Sequence, residues 1–400
     1  MHRLARLLAP ESIAVVGGRP AELAIQQCMA LGFEGEIWPV HPTRSEQAGH
    51  ATVPTVADLP GPPDAALVAV NRHETIQVVA ALAAMGAGAA VCYASGFAEV
   101  GGAGIDLQAD LVAAARSMPV VGPNCYGTVA ATVGAALWPD QQGLRRCQRG
   151  VALVTQSGNI ALNLTMQSRR MPISHVLTVG NQADVGVEEC VEALVGDPSV
   201  SAIGLHVEAL GDVPRFEAAC RRASAADVPM VVLKTGSSTL GARIVVSHTS
   251  SLVGDATAYR ALFQRLGVRQ VDSIPELLDT LAVLDRLGGI SGRRLVSMSC
   301  SGGEASVVAD QAESMDLDLP AFDDAHAARI ADTLSDLVSV SNPLDYHTFI
   351  WGDPERLRTT FTAVMDGPLD AAMLVLDFPS TGLDDSGWWP TLGAFAEASR

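Results

Sequence analysis

Three observations predict an α/β protein built on parallel sheets. Short β-branched runs alternate with amphipathic stretches of helical length, the pattern of strands covered on both faces by helices. Aromatic residues make up only 4% of the chain, so Ala, Val, Leu and Gly must fill the interior. With 400 residues, 48% hydrophobic and 18% charged, the chain can bury more than one core and is too apolar for disorder.

The elements follow in order. SIAVVG (12–17) is a buried strand and 21–31 a helix; GEIWPV (35–40) and AALVAV (65–70) are strands. A helix over 74–86, the strand AAVCYA (89–94), a helix over 104–118 and the strand PVVG (119–122) complete the first series, expected as a domain over 1–137. WPDQQGLRRCQRG (138–150) interrupts the pattern with Pro, Gly and charge. A second series, 151–287, has strands at 151–156, 174–180, 201–208 and 229–234. Its helices are expected at 158–170, 186–196, 213–225, 255–267 and 274–287. GGISGRR (288–294) is a second break. A third series, 293–400, opens on LVSMSCSGGEA and continues through NPLDYHT, a helix near 354–365, the strand AAMLVLDF (371–378) and a helix from about 390; it is short of strands for a full domain.

The formal net charge is −18, which excludes nucleic acid and anionic membrane surfaces as natural partners. Seven cysteines form no CxxC pair and sit in apolar runs, as expected for free thiols in a reducing compartment. The longest apolar stretch, Val78 to Cys92, is broken by glycines and is too short to span a bilayer; the N-terminal run has no apolar signal region. The expectation is a soluble cytoplasmic protein.

Several strand ends carry ligand-type turns. Gly17 and Gly18 end the first strand where α/β domains hold phosphates, but the run GGRPA lacks GxGxxG, so NAD binding is poorly supported. GPNCYG (122–127) places Asn124 at a sheet edge, where Cys125 reads as packed because no neighbour would lower its pKa. TQSGN (155–159) starts a helix whose first N–H groups, at Ser157, Gly158 and Asn159, form an anion site; the flank is not GxSxG, which argues against a serine hydrolase. Most telling is the Gly/Ser/Thr-rich segment LKTGSSTLGARIVVSHTSSLVGDA (233–256), which holds the only lysine, Lys234, and His248. An imidazole in a long small-residue loop can carry a charged group if an acceptor fixes its other nitrogen. Glu208, at the end of SAIGLHVE, is placed for that role, whereas His206 reads as packing. SCSGGEA (299–305) reads as structural, and Tyr346, His347 and Trp351 as lining an acid pocket or a domain contact. No metal site is predicted.

SIAVVGG, ASGFAEVGGAG, GPNCYG, TQSG, TVGNQADV, HVEAL, the 234–254 run and NPLD recur together in one order. In this the chain resembles the nucleotide-free half of NDP-forming acyl-CoA synthetases: ADP-forming acetate–CoA ligase, feruloyl-CoA-synthetase-type members and, distantly, succinyl-CoA synthetase α. The resemblance implies a Rossmann-like CoA-binding domain followed by flavodoxin-like domains of succinyl-CoA-synthetase type. It implies that His248 carries a phosphoryl group steadied by Glu208, and that Ser157, Gly158, Asn159 and Lys234 bind phosphate. Gly17, Gly18, Pro42, Asn71 and Asn124 would surround coenzyme A, although GGRPAELAIQQ and the VHP at 40–42 depart from the family pattern. The implied substrates are a carboxylic acid, CoA and phosphate. ATP, ADP and Mg²⁺ would act only through an ATP-grasp domain or subunit outside this chain, in a homo- or hetero-oligomer. The rival expectation is a non-catalytic CoA-binding module of a regulatory fusion.

Overall fold

The computed structural model describes residues 2–167, 171–238, 240–241 and 256–399. They form two compact units that divide after Gly288.

Besides a two-stranded antiparallel ladder of Glu46–Gln47 with His50–Ala51, the first unit contains two large sheets. One has five parallel strands in the spatial order Glu36–Val40, Ser12–Gly17, Ala65–Ala69, Ala90–Cys92, Val120–Val121. The other has seven, in the order Arg269–Val271, Met230–Lys234, Val200–Val207, Gly150–Thr155, Ile173–Thr178, Thr128–Ala130, Ala135–Leu137. In chain order the five parallel strands of each sheet run 2-1-3-4-5. Such a sheet has a switch point beside the C-terminal end of its first strand, where helices leave in opposite directions and open a crevice. The crevices lie at Gly17 and Val70 in one sheet and at Gln156 and Glu208 in the other.

Local chemistry explains the helix starts. Asn71 caps Arg72–Met85 by accepting from the His73 and Glu74 N–H groups, both at 3.1 Å. Ser157 caps Gly158–Thr165 by accepting from Ile160 N–H. Asp212 and Ser273 cap the Val213–Ala225 and Ile274–Leu287 helices, each with Pro in the first turn. Hydrophobic burial holds the sheets: one continuous core runs from Leu4 and Ile13 through Trp138 and Leu153 to Leu281. A second core fills the opposite face of the five-stranded sheet.

Several elements differ from the sequence reading, among them the following. Residues 128–130 and 135–137, expected with the first series, pair as an antiparallel hairpin on the edge of the second sheet. The Arg269–Val271 strand was too short and too charged at its start to be read. The helix after Ser157 ends at Thr165 rather than 170.

The second unit has a three-stranded parallel sheet, Leu344–Asp345, Leu295–Ser299, Ala371–Leu374, with its own core around Val296, Tyr346 and Phe361. The Asp324–Ala331 helix, capped by Asp323, was not read from sequence. No described helix is long and apolar enough to cross a membrane.

Candidate functional site

The switch points of the two large sheets open into one cavity of about 780 Å³. Asn71, Asn124, Ser157, Gly158, Asn159 and Glu208 all line it, so six residues singled out from sequence meet in one place. His248 lies outside the described residues. Gly17, Gly18 and Pro42 line a second, more apolar cavity of about 720 Å³, which shares Ala69 and Val70 with the first.

The Ser157 turn follows directly from its sequence. Thr155 ends a strand, and its Oγ1 accepts from Ser157 N–H and reaches the Ser157 carbonyl, both at 3.0 Å. Ser157 is extended at φ −106°, ψ 123°, so the chain turns straight into the helix. The N–H groups of the first turn have no intrahelical acceptors, which makes this end of the helix electropositive. Gly158 is required here because a Cβ would stand 2.2 Å from Cδ2 of Tyr126. That ring is wedged between Tyr93 and Trp138.

Glu208 is placed by a residue the sequence reading passed over. The Gln156 side chain donates to the Ala209 carbonyl at 2.7 Å, and its Oε1 accepts from the N–H groups of Glu208 and Ala209. Gln156 thus holds the backbone of the carboxylate against the end of the neighbouring strand. The readable signal was the position of Gln156, one residue beyond a strand that pairs in register with the one carrying Glu208.

Asn124 has φ 57° and follows a cis Gly122–Pro123 bond. Its amide donates to Asn181 at 3.3 Å, and Asn181 in turn donates to Glu99 and to Gln108. The ASGFAEV loop is tied to the cavity wall through these amides. Arg72, also missed from sequence, is the one cation lining the cavity among the described residues; its guanidinium donates to the Gly96 carbonyl at 2.8 Å.

Lys234 stands behind the Glu208 strand end. It is 7% exposed and does not line the cavity. Its amine donates to the carbonyls of Glu208, at 2.8 Å, and Thr235, and stands 4.7 Å from the centre of the Tyr259 ring. Burial lowers its pKa, opposed by the nearby Glu208 charge. Two of its three donor directions are fixed on backbone, so it buttresses the strand end. Cys125 is buried and burial pushes its thiol up to about 12, which leaves it inert at neutral pH.

Residues 11–131 match the CoA binding domain and residues 148–284 the succinyl-CoA ligase like flavodoxin domain. The chain therefore carries a CoA binding domain followed by a succinyl-CoA ligase like flavodoxin domain. The chain is 32% identical over 398 residues to a trans-feruloyl-CoA synthase from an unknown prokaryote, covering 96% of the chain and 56% of that protein. It therefore spans little more than half of that relative. It is 26% identical to the α subunit of ADP-forming acetate–CoA ligase II from Pyrococcus furiosus, covering 93% of the chain and 82% of the subunit. Among solved structures, the dinucleotide-forming acetyl-coenzyme A synthetase 1 of Ca. Korarchaeum cryptofilum, in complex with phosphate and ADP, superposes with a TM-score of 0.87 at 26% identity. That match covers 99% of this chain and 87% of the other.

The first cavity's neighbour sets a stringent local requirement. Gly17 has φ +137°, and a Cβ there would lie 2.3 Å from the Ala69 carbonyl oxygen. Gly17→Ala is expected to destabilise the protein by roughly 2–3 kcal/mol through backbone strain and overpacking. Thermal melts of the variant check this; an unchanged melting temperature would show that the two strands can separate freely.

Proposed function

We propose that the chain is the CoA-binding, phosphohistidine-carrying part of an NDP-forming acyl-CoA synthetase. The overall reaction is carboxylic acid + ATP + CoA to acyl-CoA + ADP + phosphate. One observation carries this reading: the anion-binding turn at Ser157–Asn159 and the carboxylate Glu208 share one cavity wall, on the sheet whose next strand leads into the segment with His248. A phosphoryl carrier needs both elements, donors for phosphoryl oxygens and an acceptor for the second imidazole nitrogen.

The steps balance as follows. A carboxylate oxygen of the acid attacks phosphorus of phospho-His248; the P–N bond breaks and an acyl phosphate forms. The CoA thiolate then attacks the acyl carbon and phosphate leaves. The first-turn N–H groups take up charge on the phosphoryl oxygens, and Glu208 receives the proton-bearing side of the imidazole. ATP, with Mg²⁺, recharges His248 on an ATP-grasp part outside this chain; the relative from Pyrococcus furiosus that this chain nearly spans is itself named an α subunit. CoA fits the paired cavities, with its nucleotide end against Gly17, Gly18 and Pro42 and its thiol toward Ser157 and Glu208. Aromatic and short aliphatic acids both occur among the relatives' names.

Calorimetry on the chain is expected to show CoA binding without any ATP-grasp partner and no binding of NAD. The reverse result would favour an oxidoreductase and sink the proposal.

A further inference from the structure

His206 was read from sequence as packing, yet the structure places both of its ring nitrogens on side-chain hydroxyls. It lies on the Val200–Val207 strand, paired in register with Thr155 on one side and Leu233 on the other, and is 1% exposed. Nδ1 is 3.1 Å from Thr155 Oγ1, and Nε2 is 3.0 Å from Thr235 Oγ1. Thr155 Oγ1 is the atom around which the Ser157 turn closes.

The proton inventory of this chain of groups is restrictive. Thr155 has one hydroxyl proton and two acceptors within reach, the Ser157 carbonyl and Nδ1 of His206. If the proton goes to the carbonyl, Nδ1 must carry its own proton and donate to Thr155, and the lone pair on Nε2 accepts from Thr235. Four hydrogen bonds result, counting Ser157 N–H to Thr155. If the proton goes to Nδ1, then Nε2–H donates to Thr235, the Thr155-to-carbonyl bond is lost, and three remain. Among buried groups a hydrogen bond lost outweighs the small intrinsic difference between tautomers. Burial, followed by the Lys234 charge, takes the imidazole pKa down to about 4, so the ring is neutral and its tautomer is a real choice at working pH.

We propose that His206 is a positioning residue for the Ser157 turn: as the Nδ1–H tautomer it makes Thr155 a donor to the Ser157 carbonyl and so fixes the helix start that meets phosphate. The role rests on the proposed function, because it concerns the same anion-binding turn. His206 touches no reacting atom; it acts through Thr155.

The test uses the full chain labelled with ¹⁵N-histidine, in which the His206 signals are those lost in His206→Asn. One-bond and two-bond ¹⁵N–¹H correlations at pH 7 are expected to show a protonated Nδ1 and an unprotonated Nε2. Inorganic phosphate is then titrated and followed by ³¹P NMR. Asn presents its amide where Nδ1 lies, whereas Gln reaches only the Nε2 position. His206→Asn should therefore keep phosphate affinity within about threefold, and His206→Gln should weaken it about tenfold. A merely structural His206 would lower the melting temperature in both variants and leave phosphate affinity alike in the two. An Nε2–H tautomer, or equal phosphate affinity in parent and His206→Gln, overturns the inference while leaving the proposed function intact. A parent chain that binds neither phosphate nor CoA overturns the proposed function instead.

Discussion

His248→Ala is expected to abolish phosphoryl transfer. Incubated with an acyl-CoA and labelled phosphate, the parent chain should acquire an acid-labile mass increment of one phosphoryl group. The variant should acquire none, a loss of at least about a thousandfold, as is usual when the group that bonds covalently to the substrate is removed. The physical reason is that no described side chain in or beside the cavity can replace it. Cys125 is held as a thiol by burial, and Lys234 is committed to the carbonyls of Glu208 and Thr235. Ser157 is engaged as a helix cap. CoA affinity should be largely retained, since its nucleotide end is assigned to Gly17, Gly18 and Pro42, in the cavity beyond Ser157 and Glu208. Labelling that survives in His248→Ala would mean that another group carries the phosphate. With ATP in place of acyl-CoA and phosphate, the chain alone should remain unlabelled; adding an ATP-grasp half should restore label to the parent and not to the variant.

Glu208→Gln should shorten the life of the phosphohistidine, or lower its yield, by about 10–100-fold, the range seen when an outer carboxylate behind a functional histidine is neutralised in metal sites. The amide keeps size and shape but removes the negative charge that steadies a proton on the far imidazole nitrogen. Because the Gln156 side chain fixes the backbone at residues 208 and 209, the substituted side chain should start from the same position, so the change isolates charge. Quench-flow decay of the label measures it. Equal lifetimes in parent and variant would remove Glu208 from the mechanism.

The sheets and their strand-end turns were legible in the sequence because both-face burial writes continuous β-branched runs, as in SIAVVG and SAIGLHV. Turn residues then mark where those runs stop. Asn71, Asn124, Ser157 and Glu208 were legible for that reason: each stands just beyond a strand of a parallel sheet. The roles of Gln156, His206 and Arg72 were not, since each depends on a partner across a strand gap, and pairing register is invisible to a linear reading. The surroundings of Lys234 were hidden for the same reason. A lone lysine at a strand end suggests a phosphate contact, and only the three-dimensional neighbours reveal two carbonyls and the Tyr259 ring around it. The 128–137 hairpin was missed because TVAATVGAALW is too short and too small-residued to declare its direction.

That hairpin has a consequence for how the first unit melts. Chain that has just left the five-stranded sheet at Val121 is hydrogen-bonded to the Ile173–Thr178 strand of the other sheet by Thr128. The Arg19–Leu31 helix, which packs on the first sheet, also contributes Cys28 to a hydrogen bond with Ala136 of the hairpin. Opening one sheet therefore strips an edge from the other. The two should unfold in a single cooperative transition, and any ligand held by Gly17 and Gly18 should raise the amide-exchange protection of the Gly150–Thr155 strand by the same free energy as its own sheet. Occupancy of the nucleotide end would then be felt at the phosphate end as rigidity, without any atom changing place.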